Sequence, residues 1–243
     1  HYVFFVSFFP QLIAGPIVSH RDIFYQFRRP RFLKWNSTNA AVGMNFFVVG
    51  MAKKLLLGDS MDVFVNRVFN IHTQISTISA FDIWIGVIAY SLKIYFDFSG
   101  YSDMAIGLGR MLGVRLPLNF ASPYQASSIS EFWRRWHMTL SRFLRDYLYI
   151  PLGGGRFGQL IRYRNLMATM LLGGLWHGAG NNFIVWGGLH GLYLMGHHFW
   201  RWAGFVMPTW VGVILTYLSV VVAWIFFRAT SVSHGVNIFS GMI

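Results

Sequence analysis

Cysteine is absent from the 243-residue sequence, which excludes both a disulfide framework and a thiolate nucleophile. Charge is scarce: 12% of the residues are charged, against about 25% in an ordinary soluble domain. No aspartate or glutamate follows Asp146, so the last part of the sequence offers no carboxylate for catalysis. By contrast, 55% of the residues are hydrophobic and 19% are aromatic. Together with a positive mean hydropathy, this composition is typical of an integral membrane protein.

The few charges are mostly basic, with 20 lysines and arginines against 8 acidic residues. On a soluble protein, such an excess would indicate nucleic-acid binding. Here the basic residues form blocks between apolar segments, as in cytoplasmic loops that face anionic lipid headgroups. One block covers 20–34 and a longer one covers 110–164. We therefore expect membrane lipids, and not nucleic acid, as partners of these loops. The basic residues of the first block are Arg21, Arg28, Arg29, Arg31 and Lys34.

The N-terminal stretch, residues 2–18, is apolar but is interrupted by Pro10, Gly15 and Pro16. Proline removes a backbone donor and disfavours helix immediately before it, so this stretch predicts a broken or re-entrant segment. The sequence begins inside this apolar run, without Met or a signal-peptide pattern. We therefore expect it to be part of a longer chain with further membrane segments upstream.

Five more apolar stretches predict membrane helices. They cover 40–57, 81–98, 165–180, 182–200 and 209–227. Because no repeat or linker separates them, one helical membrane domain covering 1–243 is the economical prediction. The predicted fold class is all-α, a polytopic helical membrane protein with interfacial amphipathic helices and a re-entrant segment.

Charged side chains occur inside two of these stretches. Lys53 and Lys54 lie near the end of the first, where long side chains reach the membrane interface. Lys93 and Asp97 are four residues apart in the second and match an ordinary ion pair within a helix. A charge within a membrane is also a hint of function by default, so both interpretations of this pair stay open.

The segment 131–147 predicts one amphipathic helix, rich in arginine and in aromatic residues. Ser130 is its candidate N-cap, with Glu131 favourably placed in the first turn. At helical spacing, His137 falls on the aromatic side, where it is either a packed core residue or a catalytic group. The run Gly153–Gly155 that follows is either a simple turn or a phosphate-binding set of backbone amides. The predicted polar stripe comprises Arg135, Thr139, Arg142 and Asp146.

A second histidine, His177, lies late in an apolar stretch between Trp176 and Gly178. Imidazole titrates near neutral pH, which suits a general base. His190 is a third candidate, but it lies about 220° further round a continuous helix and would not share a face with His177. The histidine spacings match no standard zinc pattern, so no metal site is predicted.

Several motifs follow one another in order along the sequence. They are QLIAGPI (11–17), YFDFSGYSDMAIGLGRMLG (95–113), FWRRWH (132–137), RDYLYIPLGG (145–154), and LWHGA with WGGLHG (175–191). With these motifs the chain resembles the membrane-bound O-acyltransferases, and most closely the bacterial subgroup that O-acetylates exopolysaccharides such as alginate. The resemblance covers nearly the whole sequence.

The resemblance implies a many-helix enzyme of the bacterial inner membrane with a tunnel into the bilayer. It implies that His177, in the WHGA motif, is the catalytic residue. His137 occupies the last position of the FWRRWH motif, which is histidine in this subgroup and asparagine in many eukaryotic relatives. Acetyl-CoA is the expected cytoplasmic donor, and periplasmic or secreted acetyltransferases are the expected partners. We expect the donor to face Trp136, Arg134, Arg135 and Arg145.

Three alternatives remain at the level of sequence. A transporter or channel would use Lys93, Asp97 and Asp103. An acyltransferase of the same family would act on another acceptor, such as a teichoic acid, a lipid or a protein. A membrane scaffold without catalysis would only recruit a soluble transferase.

Overall fold

The computed structural model describes residues 2–11, 15–28, 34–70 and 72–243, and all regular elements in those ranges are helical. This agrees with the all-α prediction. The α-helices are α1 (Tyr2–Ser7), α2 (His20–Phe27), α3 (Ser37–Ala52), α4 (Asp62–Phe69), α5 (Ala80–Met111), α6 (Ile129–Arg135), α7 (Met138–Leu144), α8 (Gln159–His177), α9 (Asn181–Trp202), α10 (Thr209–Arg228) and α11 (Val232–Ser240). Two π-helical turns cover Lys53–Gly58 and Arg145–Tyr149. Short 3-10 turns cover Phe9–Gln11, Asp59–Met61, Ile75–Thr77 and Pro123–Gln125.

Within the described part of the chain, two helices are long and apolar enough to cross a membrane. They are the continuous helix Ser37–Phe69 and α10. The other predicted stretches are helical too, within α5, α8 and α9. They fall short of the same criterion because polar side chains interrupt them, as Lys93 and Asp97 do in α5. Membrane crossing by these three helices stays a prediction.

The N-terminal stretch is interrupted, as its prolines predict. α1 ends at Ser7, and a separate 3-10 turn follows at Phe9–Gln11. Residues 12–14 of the QLIAGPI motif lie outside the described residues, as do Arg29 and Arg31 of the first basic block. A re-entrant path for this stretch stays a prediction.

The chain divides into two compact units. The first unit comprises His1–Met61, Leu92–Ala121 and His137–Leu140. The second unit comprises Asp62–Ser91, Ser122–Trp136 and Ser141–Ile243. Two compact units can belong to one domain, so the single-domain prediction stays a prediction.

In the first unit, α3 and the C-terminal part of α5 approach closely through facing glycines. A Cβ built on Gly43 would lie 2.6 Å from the carbonyl oxygen of Gly107, and one on Gly50 would collide with that of Gly100. The pairing runs in opposite directions along the two helices, so they are antiparallel. Small residues allow such backbone contact between helices in lipid, where no hydrophobic driving force brings helices together.

The continuous helix Ser37–Phe69 and α5 carry a network of six charged residues in the first unit. Because the helix that contains Lys53 continues to Phe69, this lysine lies near the middle of the helix and not at its end. Carboxylates compensate the three lysines, and the predicted Lys93–Asp97 pair is confirmed at 3.2 Å. The other pairs are Lys53–Asp103 at 2.6 Å, Lys54–Asp97 at 3.3 Å, Lys93–Asp59 at 4.0 Å, and Lys54–Asp59.

Replacing Gly50 with alanine should lower the stability of the full-length protein, although alanine is favoured over glycine in a helix by about 1 kcal/mol. The added methyl group would meet the Gly100 carbonyl oxygen, and overpacking costs about 1–3 kcal/mol. Gly196→Ala in α9 is the matched control, because nothing lies within 4 Å of a Cβ there, and it should raise stability. Melting temperatures in detergent check both; equal shifts of the two variants would contradict the close packing.

In the second unit, α8 and α9 pack against each other through glycines in the same way. A Cβ on Gly174 would collide with the carbonyl oxygen of Phe183, and one on Gly187 with that of Met170. α10 adds Trp224, and α6 adds Phe132, to an aromatic core that these helices share. In this core, His190 contacts Phe132 and Trp224, and both His190 and His177 contact Trp186 of α9.

Candidate active site

The segment predicted as one helix is broken at its centre. α6 ends at Arg135, Trp136 is extended, and α7 begins at Met138. His137 lies at the break with a φ of 40°, in the left-handed region that non-glycine residues rarely adopt. Holding a residue there costs about 1–3 kcal/mol, and such strain concentrates at functional sites. The prediction of a continuous helix is therefore wrong.

The predicted N-cap of this segment is also wrong. Ser128, and not Ser130, accepts the hydrogen bond from the Glu131 amide, at 3.2 Å. The Glu131 carboxylate accepts hydrogen bonds from the Ser127 hydroxyl and amide, each at 2.8 Å. These bonds, with one from Arg135, hold the pKa of Glu131 below its usual range. Glu131 thus stabilises the start of α6 in its charged form.

The side chain of Asn119 holds His137 in one orientation. Asn119 Oδ1 accepts hydrogen bonds from the Thr139 amide, at 3.3 Å, and from the Thr139 hydroxyl, at 3.0 Å. Since Oδ1 acts as the acceptor, His137 Nδ1, 3.0 Å away, must donate to it. The lone pair of a neutral His137 therefore lies on Nε2. Thr139 is buried here. Because the helix is broken between Arg135 and Thr139, the polar stripe predicted along one continuous helix does not form across the break.

Aromatic rings enclose the same histidine in the first unit. The Phe98 ring lies 4.7 Å from the His137 ring, centroid to centroid, at 87°, and the Phe120 ring lies at 6.5 Å. Asn119 Nδ2 donates to the Ser102 hydroxyl at 3.2 Å, which fixes the amide that orients the imidazole. His137 is thus a buried, hydrogen-bonded histidine whose Nε2 is set as the acceptor.

His177 is the last residue of α8, in the second unit. Three aromatic rings surround its imidazole: Trp176, Trp186 of α9 and Phe227 of α10, each with its centroid 5.2 Å away. The rings stand at 70–86° to the imidazole. His177 is half-buried, so an apolar surrounding is combined with partial exposure of the residue. This is a setting in which a neutral imidazole accepts a proton from a bound hydroxyl.

Gly178 allows the chain to leave α8 closely against α9. A Cβ at Gly178 would lie 2.5 Å from the Phe183 ring. The Phe183 ring in turn contacts Phe227 at 5.4 Å, so the turn after His177 closes on the aromatic group that surrounds it. The glycine of the WHGA motif therefore has a packing role beside the histidine.

His190 is fully buried and lies in α9, the helix that follows the one containing His177. Its ring lies 4.9 Å from Trp186 and 5.0 Å from Trp133, centroid to centroid. Neither of its ring nitrogens has a hydrogen-bond partner among the described residues. Trp186 contacts both His177 and His190, so the two histidines share one indole although they lie on different helices.

The residues expected to face the acyl donor occupy different settings. Trp136 is buried and stacks on Phe132 at 5.7 Å. Arg134 is exposed, whereas Arg135 and Arg145 make ion pairs with Glu131 and Asp146. Donor binding by these four residues stays a prediction.

The run Gly153–Gly155 forms a turn. The amides of Gly153 and Gly154 donate to the carbonyls of Ile150 and Tyr149, so they are engaged within the turn. Asn165 of α8, which is buried, donates to the carbonyls of Leu152 and Gly154, each at 2.9 Å. These bonds favour the simple-turn interpretation over a phosphate-binding one.

The candidate histidines are divided between the units. His137 belongs to the first unit, and His177 and His190 belong to the second. That His137 and His177 act on one substrate stays a prediction. In the described part of the chain, no three side chains of His, Asp or Glu cluster as metal ligands would.

The described residues combine two apolar helices of membrane length with a histidine among aromatic rings at a helix end, which makes that histidine a candidate site of a helical membrane protein. The chain belongs to the membrane-bound O-acyltransferase family, whose model matches residues 1–235.

Relatives of known description agree with this membership. The chain is 47% identical, over its whole length, to a peptidoglycan O-acetyltransferase of Helicobacter pylori. It is 42% identical, over 98% of its length, to a probable alginate O-acetylase of Pseudomonas aeruginosa. It is 27% identical, over 82% of its length, to a teichoic acid D-alanyltransferase of Bacillus subtilis. The chain spans about half of these relatives, covering 46%, 45% and 51% of their lengths.

Proposed function

We propose that the full-length protein is a multi-pass O-acyltransferase of the bacterial inner membrane. It moves an acetyl group from a cytoplasmic donor, acetyl-CoA, across or within the membrane for O-acetylation of an extracellular polysaccharide such as alginate. The observation that carries the proposal is the half-buried imidazole of His177 among three aromatic rings, in a chain of this family.

The reaction needs a base for the proton of the acceptor hydroxyl. His177 takes this proton as the hydroxyl oxygen attacks the acyl carbon. The C–S bond of the thioester then breaks, and the imidazolium returns the proton to the thiolate sulfur. A base positioned in this way contributes about 10²–10⁴-fold to the rate. Brief attachment of the acyl group to the same imidazole is the alternative role for His177.

His137 orients the thioester or stabilises the charge that develops at the acyl carbon. Its Nδ1 is bound to Asn119, so Nε2 is the nitrogen through which it acts. In the protonated imidazole, Nε2–H is a donor to an oxyanion. The left-handed backbone at His137 is the kind of local strain that a purely structural histidine would not need.

The donor approaches from the cytoplasm, where the basic region 110–164 attracts its phosphates. The exposed Arg134 supports this role, and Arg135 and Arg145 would exchange their carboxylate partners for phosphate. Trp136, packed in the aromatic core, would act by positioning α6. Acetyl-CoA is a substrate here and not a resident cofactor.

The acceptor is the hydroxyl group of an extracytoplasmic glycan, reached through a periplasmic or secreted acetyltransferase partner. Relatives described as acetylating peptidoglycan and alginate support this class. The relative described as a teichoic acid D-alanyltransferase keeps a different acceptor, such as a teichoic acid, a lipid or a protein, as an alternative within the family. For the transporter alternative, Lys93, Asp97 and Asp103 are ion-paired, which favours a structural role for them.

Inverted inner-membrane vesicles that contain the full-length protein test the donor and the direction together. Acetyl-CoA labelled in the acetyl group is added outside, which is the cytoplasmic face. We expect label in covalent ester linkage on glycan or partner protein inside the vesicles. Vesicles without the protein are the control. Label that enters only as free acetate would favour the transporter alternative, and equal ester label in the control vesicles would contradict the proposal.

A further inference from the structure

Four buried aromatic side chains of the second unit, together called the aromatic box, carry polar atoms without hydrogen-bond partners among the described residues. Trp133, Trp186, His190 and Trp224 are 8%, 2%, 0% and 1% exposed, respectively. Their rings contact one another at centroid distances from 4.9 Å, between Trp186 and His190, to 6.3 Å, between His190 and Trp224. All three indole nitrogens and both imidazole nitrogens lack a hydrogen-bond partner among the described residues.

These atoms cannot satisfy one another, because the box has too few acceptors. Each indole Nε1–H is a donor only, and a neutral imidazole adds one donor and one acceptor. The four side chains therefore carry four N–H donors and a single nitrogen lone pair. Aromatic faces offer only weak N–H···π contacts in place of a proper acceptor. Leaving a buried donor unpaired costs about 1–3 kcal/mol, so the chemistry of the box calls for an oxygen acceptor.

One side chain of the box, Trp186, also contacts the proposed catalytic base. Trp186 lies 5.2 Å from His177 and 4.9 Å from His190, centroid to centroid. Phe227, which also contacts His177, lies 5.2 Å from Trp186 and 5.3 Å from Trp224. Of the four side chains, Trp186 is the one whose ring contacts the His177 ring in the described part of the chain.

We propose that the N–H groups of this aromatic box donate hydrogen bonds to the acyl carbonyl oxygen. The indole N–H of Trp186 is the principal hydrogen-bond donor. The inference rests on the proposed acyl transfer at His177. As the acceptor hydroxyl attacks, the carbonyl π-electrons move onto the carbonyl oxygen, which becomes an oxyanion. The N–H groups stabilise that negative charge until the C–S bond breaks and the carbonyl re-forms. In a water-poor site, such donors act on the transition state more than on the bound substrate.

Trp186→Phe in the full-length protein tests the proposal. Removing one oxyanion donor lowers kcat by about 10²–10³-fold, so we expect at least a 100-fold loss of kcat with the KM for acetyl-CoA within threefold. Trp84→Phe is the matched control, because the Trp84 indole donates to the Met242 carbonyl at 3.1 Å, outside the box. Its kcat should stay within threefold of the wild type.

A second replacement separates the donor from the shape of the ring. Benzothienylalanine introduced at position 186 keeps the bicyclic ring but has sulfur in place of N–H. We expect the same loss of kcat without a loss of melting temperature, since the N–H that disappears has no partner in the fold. If this replacement keeps kcat within threefold of the wild type while His177→Ala is inactive, the role of the Trp186 N–H is contradicted but the proposed acyl transfer is not. Equal activity of all variants, His177→Ala included, contradicts both.

Discussion

Replacing His177 with alanine in the full-length protein should reduce the O-acetyl content of the host polysaccharide to that of a deletion strain. In the proposed mechanism the imidazole takes the proton from the acceptor hydroxyl, and loss of such a base costs about 10²–10⁴-fold in rate. In the described residues, no other histidine ring contacts both Trp176 and Phe227, so no second imidazole occupies the same position. Acetate released from purified polymer by mild base measures the effect.

His72→Ala is the matched control for this experiment. His72 is an exposed histidine in a turn, and its hydrogen bond to Asn70 Oδ1 is donated by the backbone amide, not by the side chain that is removed. Acetylation in the control should equal that of the wild type. Both variants should reach the same level in the membrane, as judged by immunoblot. Normal acetylation by the His177→Ala variant, at normal abundance, would contradict the proposal that His177 is the catalytic base.

The second large effect concerns His137, where alanine and asparagine should behave differently. Alanine loses the hydrogen bond to Asn119 and must also adopt a φ of 40°, so His137→Ala should lower both stability and activity, the latter about 100-fold. Asparagine tolerates the left-handed backbone and keeps a donor group. His137→Asn should therefore keep the wild-type melting temperature and about a tenth of the activity.

Comparing melting temperature with kcat for both variants separates the chemical role of His137 from a structural one. If the residue only closes the break between α6 and α7, the asparagine variant regains full activity along with stability. Full activity of the alanine variant would show that neither role exists. The intermediate activity expected for asparagine corresponds to a group that orients or stabilises a reactant without serving as the base.

Motifs and apolar stretches predicted much of this molecule. The helical class, the family and the ion pair between Lys93 and Asp97 follow from order, composition and i, i+4 spacing, all of which are local properties. The ends of helices and the break between α6 and α7 were harder to predict. Ser128 and Ser130 are equally good caps by residue type, although Ser128 lies three residues before Glu131, which is the spacing of a capping box. In the fold, the Ser128 hydroxyl accepts the hydrogen bond from the Glu131 amide, which makes Ser128 the cap.

The break at His137 was missed because periodicity continues across it. Nothing in FWRRWHMTL signals a left-handed residue, since no glycine or asparagine stands there. The cause lies 18 positions away, where the Asn119 carbonyl oxygen accepts a hydrogen bond from the Met138 amide at 2.9 Å and the side chain holds His137. Asn119 was missed as a site residue for the same reason. A lone amide in a loop carries no sequence signal for a contact of that range.

The aromatic box was equally invisible in the sequence. His190 was a candidate only as a histidine in an apolar helix, and its spacing argued against a shared face with His177. The shared neighbour is an indole from the same helix as His190, Trp186, that reaches the end of α8. Such a contact depends on how α8 and α9 pack, which the Gly174 and Gly187 contacts determine.

A single-turnover measurement tests the catalytic role of His177 most directly. The full-length protein is purified, reconstituted in lipid vesicles and mixed with its acceptor and with acetyl-CoA labelled in the acetyl group. Wild-type protein should transfer the label with release of one thiol per ester formed. His177→Ala should bind the donor with unchanged affinity and transfer the label at least about 100 times more slowly. Transfer by the variant at the wild-type rate would contradict the assignment of His177 as the catalytic base.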